Sequence, residues 1–150
     1  MDTASALADL SEISSQIEAA VVFDAEGTVL GSTGADEIRA RRLARAALDL
    51  VAAAGQVGLG EGRRLTQIEG SLREGSVFVV TGEAGSLAAT TTPDPTSGLV
   101  LYDLRTCLRS LSGEAAEHAA KPRRSRKTEP LENEPPKKRK TPPKATEPDA

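Results

Sequence analysis

The fold is written most plainly in residues 17–31, Ile17-Glu18-Ala19-Ala20-Val21-Val22-Phe23-Asp24-Ala25-Glu26-Gly27-Thr28-Val29-Leu30-Gly31. An apolar, β-prone run ends in Asp24-Ala25-Glu26-Gly27, and a glycine there suits the positive φ of a hairpin turn. A shorter run from Thr28 to Gly31 follows, so an antiparallel hairpin is expected. From Ala19 to Phe23 no polar residue alternates with the apolar ones. A strand that is apolar on both faces belongs inside a sheet with layers above and below it.

Upstream, Leu7, Leu10 and Ile13 recur every three residues with Asp9 and Glu12 between them, which predicts a short helix from Thr3 to Ser14. Downstream, a longer helix is expected from Ala35 to Ala54. At about 100° per residue, Ala40, Leu43, Ala47, Leu50, Val51 and Ala54 share one face, with Arg41, Arg42, Arg45 and Asp49 opposite and Gly55 as a stop. Most of that face is alanine. Small side chains let another backbone come close, so the helix can pack tightly on a sheet, on a second helix, or on both. Gln56 to Gly62 is a glycine-rich connector.

Three further strands are expected: Arg64 to Leu72, with Thr66, Ile68 and Leu72 on one face; Ser76 to Thr81; and Ser86 to Thr92. Arg73-Glu74-Gly75 and Gly82-Glu83-Ala84-Gly85 are the turns between them, and Pro93-Asp94-Pro95 ends the last. Thr96 or Ser97 can cap a final helix whose Val100, Leu104, Cys107, Leu108 and Leu111 share a face, as far as Ser112-Gly113. The order is α-β-β-α-β-β-β-α. Val77 to Val80 is a second strand apolar on both faces, whereas Thr28 to Gly31 and Arg64 to Leu72 are polar enough for edges. The class is α/β of the α+β kind, with helices on both faces of a five-stranded antiparallel sheet.

Charge divides the chain in two. Its 150 residues carry a formal net charge of -3. Up to Ala120 there are 9 Arg, no Lys and 17 acidic residues, a net of -8. From Lys121 onward 10 basic residues face 5 acidic ones, a net of +5. All 13 Gly precede Lys121 and 7 of the 9 Pro follow it. The expected organisation is one acidic domain over residues 1–112 and a basic, proline-rich, disordered tail over 113–150.

Several chemistries are excluded. Cys107 is the only cysteine and His118 the only histidine, so an intrachain disulfide, a thiolate zinc site and a catalytic triad are unavailable. No cofactor or metal site is expected. Asp24, Glu26, Glu61, Glu74 and Glu83 fall in turns, where acids are ordinarily solvated rather than paired for catalysis. The Gly-rich segment 55–62 lacks the Gly-Lys-Ser/Thr of a phosphate loop and follows a helix rather than a strand. Cys107, on an apolar helix face, reads as a buried structural thiol. No apolar run nears the roughly 20 residues of a membrane helix, and the first residues lack the pattern of a signal peptide. A cytoplasmic location is therefore expected, and the Ala, Gly and Arg excess suggests a bacterial, GC-rich coding sequence.

From Leu7 to Leu111 the chain resembles the Roadblock/dynein-light-chain family, which includes the bacterial MglB-type proteins. The resemblance rests on the first helix leading to Ala20-Val21-Val22-Phe23-Asp24-Ala25-Glu26-Gly27, the Ala/Leu-rich second helix, the central hairpin, and Gly98-Leu99-Val100-Leu101-Tyr102-Asp103-Leu104-Arg105. It implies a profilin-like α/β/α sandwich that forms homodimers through the second helix and the strand after it. Carried over by position, the dimer contacts are Leu43, Ala47, Leu50, Val51, Ala54 and the strand around Ile68. It further implies a non-catalytic regulator or scaffold that binds a small Ras-like GTPase, as MglB-type dimers do when they promote hydrolysis by reordering the GTPase's own residues. No arginine finger can be assigned; Arg41, Arg42 and Arg45 read as a solvated helix face.

The tail carries two basic clusters, Lys121, Arg123, Arg124, Arg126 and Lys127, then Lys137, Lys138, Arg139 and Lys140. Three readings stay open: a solubilising tail, an arm that binds nucleic acid, an acidic protein or anionic lipid, and a nuclear localisation signal, which a bacterial origin disfavours. A dimeric scaffold whose tail recruits a polyanion is the alternative to GTPase binding. The opposite charges also permit the tail to fold back onto the acidic domain, in which case higher salt releases it.

Overall fold

The computed structural model describes residues 1–58 and 60–113, and within them eight elements follow the expected order. They are α1 (Thr3–Ile13), β1 (Ile17–Phe23), β2 (Val29–Thr33), α2 (Glu37–Gly55), β3 (Gln67–Leu72), β4 (Gly75–Gly82), β5 (Gly85–Thr91) and α3 (Ser97–Leu111). The expected tail, with both of its basic clusters and the boundary at residue 113, lies outside the described residues apart from Gly113 itself.

The strands form one antiparallel sheet in the order β2-β1-β5-β4-β3. The two polar strands take the edges, as their sequences predict. The centre belongs to β5, not to either fully apolar strand; β1 and β4 flank it. Leu87, Ala88 and Ala89 of β5 are fully buried, and its two alanines leave room for layers on both sides. Edge boundaries shift by a few residues: β2 runs two residues further than expected and β3 starts at Gln67 rather than Arg64.

Two cores sit on opposite faces of the sheet, each with one phenylalanine. Phe78, Val22, Val80 and Leu87 pack with Leu7 and Leu10 of α1 and Val100, Leu104 and Leu108 of α3. On the other face Phe23, Val21, Val79 and Ala88 pack against Ala40, Ala44 and Ala47 of α2. The first core is built from large aliphatics; the second meets its helix through a buried stripe of three alanines, with Leu43, Leu48 and Val51 packed beside it. That difference brings α2 close to the sheet, since packed surfaces approach as nearly as their side chains allow.

Local chemistry explains where the helices start. Asp2 caps α1 by accepting from the Ser5 N–H (2.8 Å), and Asp36 caps α2 by accepting from the Arg39 N–H (2.8 Å). At α3 the expected cap differs. Thr96 stands at the N-cap position but its side chain makes no capping bond; instead its N–H donates to Gln16 Oε1 (2.6 Å), and Ser97 bonds Glu69. The turn after β1 is held by Asp24, whose Oδ1 accepts from the N–H groups of Glu26 (3.0 Å) and Thr28 (2.8 Å). The Thr28 N–H is the first cause that holds the Asp24 carboxyl below its ordinary value.

Gly34 joins β2 to α2 at φ +69, where a Cβ would lie 2.0 Å from the Glu18 carbonyl oxygen. Gly34→Ala is therefore expected to lower stability by about 2 kcal/mol or more, combining left-handed strain with a backbone clash. A urea titration checks this; a loss below about 0.5 kcal/mol would mean that the turn relaxes freely.

Candidate interaction surface

The sheet has two edges, and they differ. On β2 the pairing with β1 is irregular between Val22 and Phe23, and α1 presses on the strand at Gly31, where a Cβ would sit 2.6 Å from Thr3 Cγ2. A bulge and a covering helix blunt an edge against further pairing. On β3 six residues, Gln67 to Leu72, run in unbroken register with β4. No further strand pairs with the outer side of β3 among the described residues.

Hydrogen-bond parity identifies which groups that edge presents. The Thr81 N–H donates to the Thr66 carbonyl (3.0 Å), its direct partner in the β3–β4 register. Directly opposite residues that bond each other alternate with pairs that do not. Ile68, Gly70 and Leu72 therefore turn their backbone groups toward β4, and Gln67, Glu69 and Ser71 turn theirs outward. The side chains of β3 divide the same way: Glu69 bonds Ser97 and Gln67 bonds Arg105, both on α3, so Ile68 and its alternates face the α2 side.

The six residues expected at the dimer contact fall into three environments. Ala47 is fully buried against the sheet, so it shapes the surface from beneath. Leu43, Val51, Ala54 and Ile68 are half-buried. Leu50 is 39 % exposed. The helix face turns slightly from the expected one: its centre is Ala40, Ala44 and Ala47, and Ala44 is not among the expected residues. The wheel arithmetic favours the leucines, whereas the sheet selects the smallest side chains that form a stripe. Leu43, Leu50 and Ala54 thereby cluster on one flank of α2, within about 40° of each other.

Four arginines line the outside of α2. Arg41 pairs with Glu37, and Arg45 with Asp49 at 3.4 Å, all four well exposed; these are the ion pairs among the described residues. Exposed pairs of this kind contribute little, so they read as a solvated face. Arg39 and Arg42 stand free of such pairs, beside Leu43 and Thr90. A cleft of about 620 Å³ opens past the C-terminal end of α2, between Leu48 and Val51 on the helix, Arg64 and Thr66 ahead of β3, and Thr81 on β4. Asp24 also lines it, but its Oδ1 is committed to the turn.

On the other face, Cys107 is buried and its thiol donates to the Ala6 carbonyl (3.5 Å). Burial first, then the nearby Asp9 charge, pushes the thiol up to about 11. Iodoacetamide at about pH 8 should alkylate it at least ~10²-fold more slowly than a free thiol, because the thiolate reacts. Mass spectrometry over time checks this, and a rate near that of free cysteine would contradict the burial. Tyr102, whose place the sequence leaves open, is 62 % exposed on α3. Asp103, one residue on, is buried at 6 %, a position that no periodicity in the sequence marks. Among the described residues no group of three or more potential metal ligands comes together, and no helix is long and apolar enough to cross a membrane.

No family model and no curated relative matches the sequence. Solved structures do. A Roadblock/LC7 domain from Streptomyces avermitilis is similar over 77 % of this chain and 99 % of its own, with 21 % identity and a TM-score of 0.70. MglB is similar in two structures: the gliding protein of Thermus thermophilus (TM-score 0.64, 20 % identity, 77 % and 89 % covered) and MglB in a tetrameric arrangement (0.65, 18 %, 77 % and 88 %). LokiProfilin1, from a complex with rabbit actin, matches at a TM-score of 0.51 with 13 % identity over 75 % of this chain and 95 % of its own. The described residues of this chain thus have the profilin-like fold of the Roadblock/LC7 domains and of MglB.

Proposed function

We propose that the chain acts as a homodimeric, non-catalytic regulator or scaffold that binds a small Ras-like GTPase. The observation that carries the dimer is the contrast between the edges: β2 is irregular and covered, while β3 offers a regular row of outward N–H and C=O groups. A second copy related by a two-fold axis satisfies that row and continues the sheet. The flank of Leu43, Leu50 and Ala54 on α2, with Val51 and Ile68 beside it, supplies apolar area. Ala47 holds the helix close enough to the sheet for both elements to reach the partner together.

The GTPase reading rests on the likeness to MglB and on the resemblance of residues 7–111 to MglB-type proteins. An MglB with a tetrameric arrangement supports self-association as a habit of this fold. The GTPase would bind a composite surface that exists only in the dimer, and stimulation of its hydrolysis would come from its own residues. Immobilised full-length protein should recover a GTPase of this class from the source cell, identified by mass spectrometry. A variant that no longer dimerises should lose it. Recovery unchanged by loss of the dimer would overturn the composite surface, and no GTPase among the recovered proteins would overturn the partner.

A further inference from the structure

We propose that the groove between α1 and α3 is the docking site of this chain's own basic segment, Lys121-Pro122-Arg123-Arg124-Ser125-Arg126-Lys127. The groove holds about 370 Å³. Ala6, Leu10 and Cys107 form its apolar floor, and Asp9, Glu12 and Ile13 line it along α1. Ile13 is 64 % exposed and adds apolar surface at the rim. Asp9 and Glu12 make no ion pair among the described residues. An apolar floor with unpaired carboxylates beside it suits a ligand that is cationic at its tips and aliphatic along its stems. Lysine and arginine side chains have that construction.

Charge is unevenly distributed along the chain. Residues 1–38, which make up α1, β1, β2 and the start of α2, contain eight acidic residues and no Lys or Arg. All nine arginines before Lys121 lie from Arg39 onward, on α2, the loops and α3. On α1 itself Asp9 and Glu12, with Asp2 as the cap, are the charged side chains, and a basic segment is drawn to them over roughly a Debye length.

Chain connectivity supplies the occupant. Ser110 lines the groove, α3 ends at Leu111, and the segment starts eight residues after Gly113. Eight residues reach at most about 28 Å, enough to turn back beside α3. Five basic charges in seven residues then lie at an effective concentration near millimolar, so weak individual pairs suffice. The groove is on the sheet face opposite α2, which leaves the proposed dimer surface clear. The inference stands whether or not the chain binds a GTPase.

The test uses the full chain carrying a nitroxide label on Ser125→Cys. Cys107 stays in place, since its raised, buried thiol leaves it unlabelled, and mass spectrometry verifies one label per chain. At about 20 mM salt the label should broaden the amide signals of Ile13, Thr106 and Ser110 more than those of β3 and the α2 surface, and about 500 mM salt should abolish the difference. The double variant Asp9→Asn/Glu12→Gln, both exposed and therefore tolerant of change, should weaken the broadening several-fold while leaving the spectrum folded. Uniform broadening over all acidic surfaces would overturn the proposal, as would broadening that survives the double variant. So would none at the groove in low salt, which would leave the segment free for nucleic acid or another polyanion.

Discussion

Phe78→Ala should remove about 3–5 kcal/mol of stability, a large share of the roughly 5–15 kcal/mol that holds a domain of this size. Phe78 is fully buried at the middle of β4 and is the one aromatic residue in the core between the sheet and the α1/α3 layer. Its neighbours Val100, Leu104 and Leu108 are anchored on a helix, so they cannot collapse into the space it leaves. A lost side chain of that size costs its transfer free energy and a cavity besides. Urea unfolding should show a lower midpoint with an unchanged slope. Should the variant fail to fold, Phe78→Leu measures the same site with a smaller loss, under about 2 kcal/mol. Tyr102→Ala is the contrast: 62 % exposed, it should change stability by no more than about 0.5 kcal/mol. A Phe78→Ala loss under about 1.5 kcal/mol would mean that the α3 layer is looser than its burial indicates.

Much of this architecture is legible in the sequence because period and polarity report burial directly. The run Ala19 to Phe23 and the run Val77 to Val80 announce buried strands, and the polar character of residues 28–31 and 64–72 announces the edges. What the sequence hides is what packing decides. A helical wheel weights Leu50 toward the core, but the residue of α2 buried in the same core as Ala88 of β5 is Ala44, and Leu50 is left 39 % exposed. The start of α3 is hidden for a similar reason: the Thr96 N–H donates to Gln16, eighty residues away in sequence. Of the candidate surface, the polar character of β3 is visible in the sequence, whereas its parity and the bulge that disables the opposite edge are not. Both depend on register, and a shift of one residue would exchange inward and outward groups.

That parity makes the proposed interface open to a single substitution. Glu69→Pro deletes an outward N–H from β3 and leaves intact the bonds of Ile68 and Gly70 to β4. In an isologous pair the change occurs twice, so two bonds across the axis are lost and two carbonyls are left without donors. At about 1.4 kcal/mol for each tenfold, dimerisation should weaken by about 10²-fold or more. Sedimentation at tens of micromolar should then move from a particle of twice 15.6 kDa to one of 15.6 kDa. The Glu69 side chain also bonds Ser97, and Glu69→Gln separates the two roles: it keeps the backbone donor and a hydrogen-bonding side chain, and should remain dimeric. Thermal unfolding of Glu69→Pro at low concentration should stay close to that of the parent monomer, because the site is exposed and its ladder to β4 is untouched. A parent chain that sediments as a monomer would remove the dimer altogether. A Glu69→Pro chain that stays fully dimeric would move the proposed interface off β3, and with it the composite surface proposed for a GTPase.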